Sequence, residues 1–110
     1  MELDRKLFLT ESAKALDHIE RTLGDLEHDS LDVDLAGDVL TLGFADGIEF
    51  VINAHSAAGH VWMAAGSTAW HFDLEPPETG ARWIAKKTDD ELMSTVARVV
   101  GEKLGIDISL

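Results

Sequence analysis

Between residues 24 and 42 the chain reads GDLEHDSLDVDLAGDVLTL, and its first half carries Asp25, Glu27, Asp29, Asp32 and Asp34 with no lysine or arginine among them. Crowded carboxylates repel one another. A hard cation such as Fe2+, Fe3+, Mn2+, Mg2+ or Ca2+, or a basic protein surface, relieves that repulsion. Asp32 and Asp34 alternate with apolar residues and so share one strand face, roughly 6–7 Å apart. Asp25, Glu27 and Asp29 lead into that strand, and Glu20 and Asp17 sit one and two turns back on the preceding helix. Nothing in this spacing encloses an ion, so metal binding at the run is expected to be weak, hydrated and unselective. The competing reading is a solvated charge run that discourages edge-to-edge aggregation.

Other chemistry has less support. No Gly-rich phosphate loop is present, and Ser12, Ser30 and Ser56 lack the elbow that exposes a nucleophile. Neither H-E-x-x-H nor D-x-D-x-D-G occurs. The five histidines (His18, His28, His55, His60 and His71) show no H-x-x-x-H or H-x-H spacing and read as surface or strand residues. Only His28 stands apart, because it lies inside the acidic run. In HVWMA, residues 60–64, Val61 and Met63 take the inward positions, which turns Trp62 outward as an interface anchor. Trp70 and Trp83 are in phase with inward residues and are expected in the core.

Composition narrows the partners. Twenty-one acids against nine bases give a formal charge of −12. Nucleic acid and anionic membranes are thereby disfavoured, since both demand lysine and arginine. There is no cysteine, which excludes disulfides, thiolate metal sites and cysteine nucleophiles. No stretch approaches the roughly 18 apolar residues of a membrane span. MELDRKLFLTES, at the start, lacks the apolar core of a secretory signal. A cytoplasmic protein of one domain, residues 1–110, is expected.

The elements that would position these side chains follow from periodicity. Phe8, Leu9, Leu16, Ile19, Leu23 and Leu26 predict a helix over residues 3–26, frayed at Gly24. Asp25 and Glu27 then face the negative end of the macrodipole, a disfavoured placement by a few tenths to ~1 kcal/mol, so local stability does not account for them. From residue 31 the period becomes two. Leu31, Val33 and Leu35, then Leu40, Leu42 and Phe44, point inward across an AGD turn at 36–38. Asp46-Gly47 predicts a two-residue hairpin into a strand lined by Ile48, Phe50 and Ile52. A loop is expected at 53–59, strands at 60–64 and 69–74, a Pro-containing turn at 75–80, and a last strand at 82–85. Thr88-x-x-Glu91 reads as a capping box opening a second helix with Leu92, Met93, Val96, Val99, Val100 and Leu104 inward and Gly105 beyond its end. Ile106, Ile108 and Leu110 predict a tail that docks. The sum is an α+β two-layer sandwich: N- and C-terminal helices on one face of an antiparallel sheet of about six strands.

DVLTLGFADGIEFVIN (38–53), HVWMA (60–64), WHFD (70–73) and RWI (82–84) together resemble the frataxin family in its bacterial form. The resemblance runs over essentially the whole chain. It implies an iron-binding protein, not an enzyme, that regulates or supplies iron to iron–sulfur cluster assembly by binding the cysteine desulfurase and scaffold. Carried over by position, the acidic ridge that binds weak surface iron (Fe2+ or Fe3+, with other divalent cations able to substitute) comprises Glu20, Asp25, Glu27, Asp29, Asp32 and Asp34. The partner-binding set comprises Asp17, Glu20, Asp25, Asp32, Asp34, Asn53 and Trp62. A monomer capable of iron-dependent oligomers is implied as well. The sequence departs from the family at Arg21 and Gly24, where relatives often carry acids, and at 67–69, where Ser-Thr-Ala replaces Gly-Gly. The alternative function is ferroxidase-type iron oxidation or detoxification, which usually relies on paired E-x-x-H motifs that this chain lacks.

Overall fold

The computed structural model describes residues 5–55, 59–75 and 82–110. Helix α1 (Arg5–Gly24) is followed by β1 (Leu31–Ala36), β2 (Val39–Phe44), β3 (Glu49–His55), β4 (His60–Ala65), β5 (Thr68–Leu74), β6 (Trp83–Ala85), β7 (Asp90–Glu91) and helix α2 (Leu92–Leu104). The strands form one antiparallel sheet in chain order, β1 to β7, so β1 is one edge and β7 the other. Both helices pack on one face, α1 against β1 and β3, and α2 against β6 and β7. The expected α+β sandwich is therefore present, with seven strands instead of about six.

The core lies between the helices and the inward side chains of the sheet. Phe8, Leu16, Ile19 and Leu23 of α1 meet Leu40, Leu42, Ile52, Val61, Met63 and Phe72 of the strands, with Leu92, Val96 and Val100 of α2 completing the layer. Phe8 meets Trp83 edge to face at 5.4 Å between centroids, an arrangement that adds to simple area burial. Trp70 and Trp83 are buried, as their phase predicts.

Several local expectations change. Helix α1 ends at Gly24, so Leu26 falls beyond it, 37% exposed. Leu9 is 47% exposed because the buried stripe runs through Ser12 and Ala15, whose small side chains let the helix sit close to the sheet. The Asp46-Gly47 link is not a two-residue hairpin. Residues 45–48 all lie outside the strands, only Gly47 there has positive φ, and Ile48 is left 42% exposed. The loop expected at 53–59 is shorter: β3 runs on to His55 because Asn53 pairs with Trp62 and His55 with His60. The turn expected at 75–80 lies outside the described residues except for Glu75.

The capping box is also replaced. Asp90 and Glu91 pair with Ala85 and Ile84 as a short strand, turned by Asp89 at φ 65°. Glu91 is then itself the cap of α2, its carboxylate accepting from the amides of Met93 and Ser94. Gly105 ends α2 in the left-handed region at φ 73°. The tail doubles back so closely that a Cβ on Gly101 would sit 2.8 Å from the Ile106 carbonyl oxygen. Ile108 and Leu110 pack against the core margin, and the His18 imidazole hydrogen-bonds the Leu110 carbonyl oxygen at 3.1 Å.

Candidate functional site

The acidic residues follow one continuous path: the last turns of α1, the connection 25–30, and β1. Asp17 and Glu20 stand half-buried on α1, and Asp25, Glu27 and Asp29 are exposed in the connection. The end of α1 is tied down by backbone bonds from Asp25 to Arg21, from Leu26 to Leu23 and from Glu27 to Gly24. Glu27 is held at φ 48°, a left-handed conformation uncommon for a residue with a side chain. His28 turns its Nδ1 inward to accept the Ser30 amide at 3.1 Å; it organises the connection instead of pointing at the acids through that atom.

On β1 the pleat separates two chemistries. Leu31, Val33 and Leu35 face the helix layer, whereas Asp32 and Asp34 are exposed on the opposite, open face of the sheet. Asp32 stands over Gly43 on β2, whose missing side chain leaves the carboxylate room: a Cβ on Gly43 would lie 3.9 Å from that of Asp32. The seven acids thus wrap around the β1 border, with Asp17 and Glu20 on the helix layer and Asp32 and Asp34 on the open face.

Their charge is compensated at one position. Arg21 pairs with Asp17 at 3.1 Å, one turn apart and largely exposed. Glu20, Asp25, Glu27, Asp29, Asp32 and Asp34 form no ion pair with any described residue. Among the described residues no three histidine or carboxylate side chains converge tightly enough to cage a metal ion. The chemistry the border offers is open, oxygen-only ligation of hard cations, or pairing with guanidinium and ammonium groups.

Trp62 occupies the outward register position of β4, as expected, but is half-buried, because Asn53 of β3 and His71 of β5 flank it in the ladder. His55 lies opposite His60, and the rings of His60 and His71 meet at 4.9 Å between centroids. Asn53, His55, His60, Trp62 and His71 line one shallow depression of about 270 Å³. Sequence spacing did not reveal this histidine group, since its members stand on three different strands. A register drawn through the β3–β4 and β4–β5 turns would have aligned them.

Comparison with known proteins now bears on these surfaces. A frataxin-like domain family model matches residues 1–106. The chain belongs to the frataxin-like family. It is 33% identical over 96 residues to the iron–sulfur cluster assembly protein CyaY of Azotobacter vinelandii, covering 84% of this chain and 86% of that protein. It is 34% identical over 107 residues to the CyaY protein of Janthinobacterium sp. strain Marseille, covering 94% and 92%. Among solved structures, a frataxin from Psychromonas ingrahamii superposes with a TM-score of 0.85 over 97% of both chains at 20% identity, which establishes the shared fold. In this frataxin-like chain the acidic border and the Trp62 face are surfaces of the described residues that lie outside the core. No helix among the described residues is long and apolar enough to cross a membrane.

Proposed function

We propose that this chain is a non-catalytic adaptor of cytoplasmic iron–sulfur cluster assembly. Its acidic border receives a basic patch of the cysteine desulfurase, and its open sheet face, through Asn53 and Trp62, contacts the scaffold protein. Iron is the small cargo: Fe2+ or Fe3+ is held weakly by Glu20, Asp25, Glu27, Asp29, Asp32 and Asp34, whose oxygen-only donor set suits hard cations and would admit other divalent ions. Iron and desulfurase would compete for the same carboxylates, which makes the adaptor responsive to iron. The observation that carries this reading is the run of six carboxylates at one border without a cationic partner among the described residues, in a chain whose relatives are named for cluster assembly.

Like charges left unpaired add nothing to the fold, whereas a positive partner gains both attraction and faster encounter. Raising ionic strength should therefore weaken the complex mainly through slower association. Replacing Asp25, Asp32 and Asp34 together by lysine should abolish desulfurase binding in calorimetry while the circular dichroism spectrum is retained; unchanged affinity in the folded variant would overturn the proposal. Titration with Fe2+ should broaden amide resonances of residues 17–34 selectively, and a uniform or absent response would remove iron from it.

A further inference from the structure

The open sheet face carries nitrogen donors that differ in kind from the oxygens of the acidic border. His60 of β4 stands opposite His55 of β3, and its ring meets that of His71 on β5 at 4.9 Å between centroids, with 60° between the planes. All three imidazoles line the same depression of about 270 Å³. None of the three rings hydrogen-bonds a described residue. Elsewhere the histidines are committed: the His18 ring is spent on the Leu110 carbonyl oxygen and the His28 ring on the Ser30 amide. An imidazole with no partner keeps a ring nitrogen lone pair available, and neutral imidazole is the commonest metal ligand among side chains.

The separation of the His60 and His71 rings fits a single shared ion. A zinc-like ion lies about 2.0–2.1 Å from each ligating nitrogen, and the ring centre about 1.2 Å further on. Two imidazoles in neighbouring positions around such an ion therefore place their centres about 4.5 Å apart at a right angle and about 5.2 Å apart at the tetrahedral angle. The observed 4.9 Å falls between these. The described residues bring two such rings together, not a cage of three ligands, and the depression has room for the waters that complete a coordination shell. Trp62 pairs with His71 in the ladder and gives the two rings an apolar flank. The neighbouring carboxylate, Asp73, shares the outer face of β5 and is within 4.0 Å of Lys86.

We infer that His60 and His71 chelate one late first-row divalent cation of the Zn2+ class, at a site separate from the acidic border. Imidazole nitrogen suits Zn2+, Cu2+ and Ni2+, whereas carboxylate oxygen suits Mg2+, Ca2+ and Mn2+. The chain thus sorts cations by donor type: nitrogen ligands on the sheet face, oxygen ligands along the β1 border. Affinity at the histidine pair should follow the usual order for such ions, rising from Co2+ through Ni2+ to Cu2+ and falling again at Zn2+.

The test is calorimetric titration of the purified chain with Zn2+ in excess Mg2+, which occupies the border carboxylates. Wild type should bind one equivalent. His60→Gln and His71→Gln should each weaken that binding by roughly tenfold or more, and His18→Gln should keep the wild-type affinity. No binding by wild type, full affinity in both His60→Gln and His71→Gln, or an equal loss in His18→Gln overturns the inference. So does formation of dimers on addition of Zn2+ in sedimentation, since the ion would then bridge two copies instead of two rings of one. A second measurement needs no variant: the electron paramagnetic resonance spectrum of wild type with one equivalent of Cu2+ should show splitting from two imidazole nitrogens, and an oxygen-only spectrum would refute the site. Failure here leaves the proposed function standing, because no border carboxylate takes part.

Discussion

At the β6–β7 end of the sheet, Asp90 accepts the Trp70 indole N–H, Glu91 caps α2, and Asp73 faces Lys86. At the β1 end, the carboxylates of Asp32 and Asp34 accept from no described residue, and neither do those of Asp25, Glu27 and Asp29 beside them. The same functional group closes polar gaps at one border and is left open at the other. Carboxylates at the β7 end are part of how the fold satisfies its donors; those at the β1 end repel one another with no compensating cation among the described residues. Where a carboxylate has a partner in the chain its role is structural; where a whole group lacks one among the described residues, the role proposed for it is recognition.

This contrast can be broken by substitution. The largest stability effect is expected from Asp90→Ala, which leaves the indole N–H of the buried Trp70 unpaired: about 1–3 kcal/mol, a fall in Tm of several degrees in a domain of this size, read by urea and thermal unfolding. Loss of the α2 cap in Glu91→Ala should cost about 1 kcal/mol, seen as a lower urea midpoint at unchanged slope. If either variant is as stable as wild type, the β7 carboxylates are not structural and the comparison fails.

A subtler effect concerns acid. The Thr88 hydroxyl, then the Trp70 indole, hold the Asp90 carboxyl below its ordinary value, and Lys103, then the Ile48 amide, do the same for the exposed Asp46. A depressed folded-state pKa contributes stability that is present above the unfolded value, about 3.9, and is lost as pH falls through the folded one. Stability against pH in Asp90→Ala should accordingly slope less than wild type below about pH 4. Parallel curves would contradict this.

The smallest effect has the opposite sign. Neutralising the border in an Asp32→Asn, Asp34→Asn double variant should raise stability by a few tenths of a kcal/mol, by removing repulsion between exposed like charges. The gain should shrink as salt screens the repulsion. Destabilisation comparable to that of Asp90→Ala would mean that the border has structural partners after all. Addition of a divalent cation should raise Tm in wild type more than in this variant, by mass action on the folded state.

Much of the fold was legible because period encodes layer. The alternation in β1, β2 and β4 places Asp32, Asp34 and Trp62 outward and Leu40, Leu42, Val61 and Met63 inward, and the structure agrees at each. Legibility failed where a short segment could satisfy two rules. Thr88-x-x-Glu91 fits a capping box, yet pairing of Asp90 and Glu91 with β6 won, because the strand satisfies backbone groups and still leaves Glu91 free to cap. Asp46-Gly47 fits a tight hairpin, but Lys103 of α2 holds Asp46 from outside the turn, a constraint that no local pattern carries. Leu9 and Leu26 satisfied helical spacing without being buried, since position 12 and position 15 had already turned the contact stripe toward small side chains.

The candidate site divides in the same way. The sequence alone determined the acidic run and its charge, because neighbours along one helix, one connection and one strand stay neighbours in any fold. That those carboxylates remain without cations among the described residues depended on where the nine bases come to lie, and only the tertiary structure decided it. The Asn53, His55, His60, Trp62 and His71 depression belongs wholly to that second kind: its members come from three strands, and register, which is set by turn lengths and core packing, is what brings them to one face.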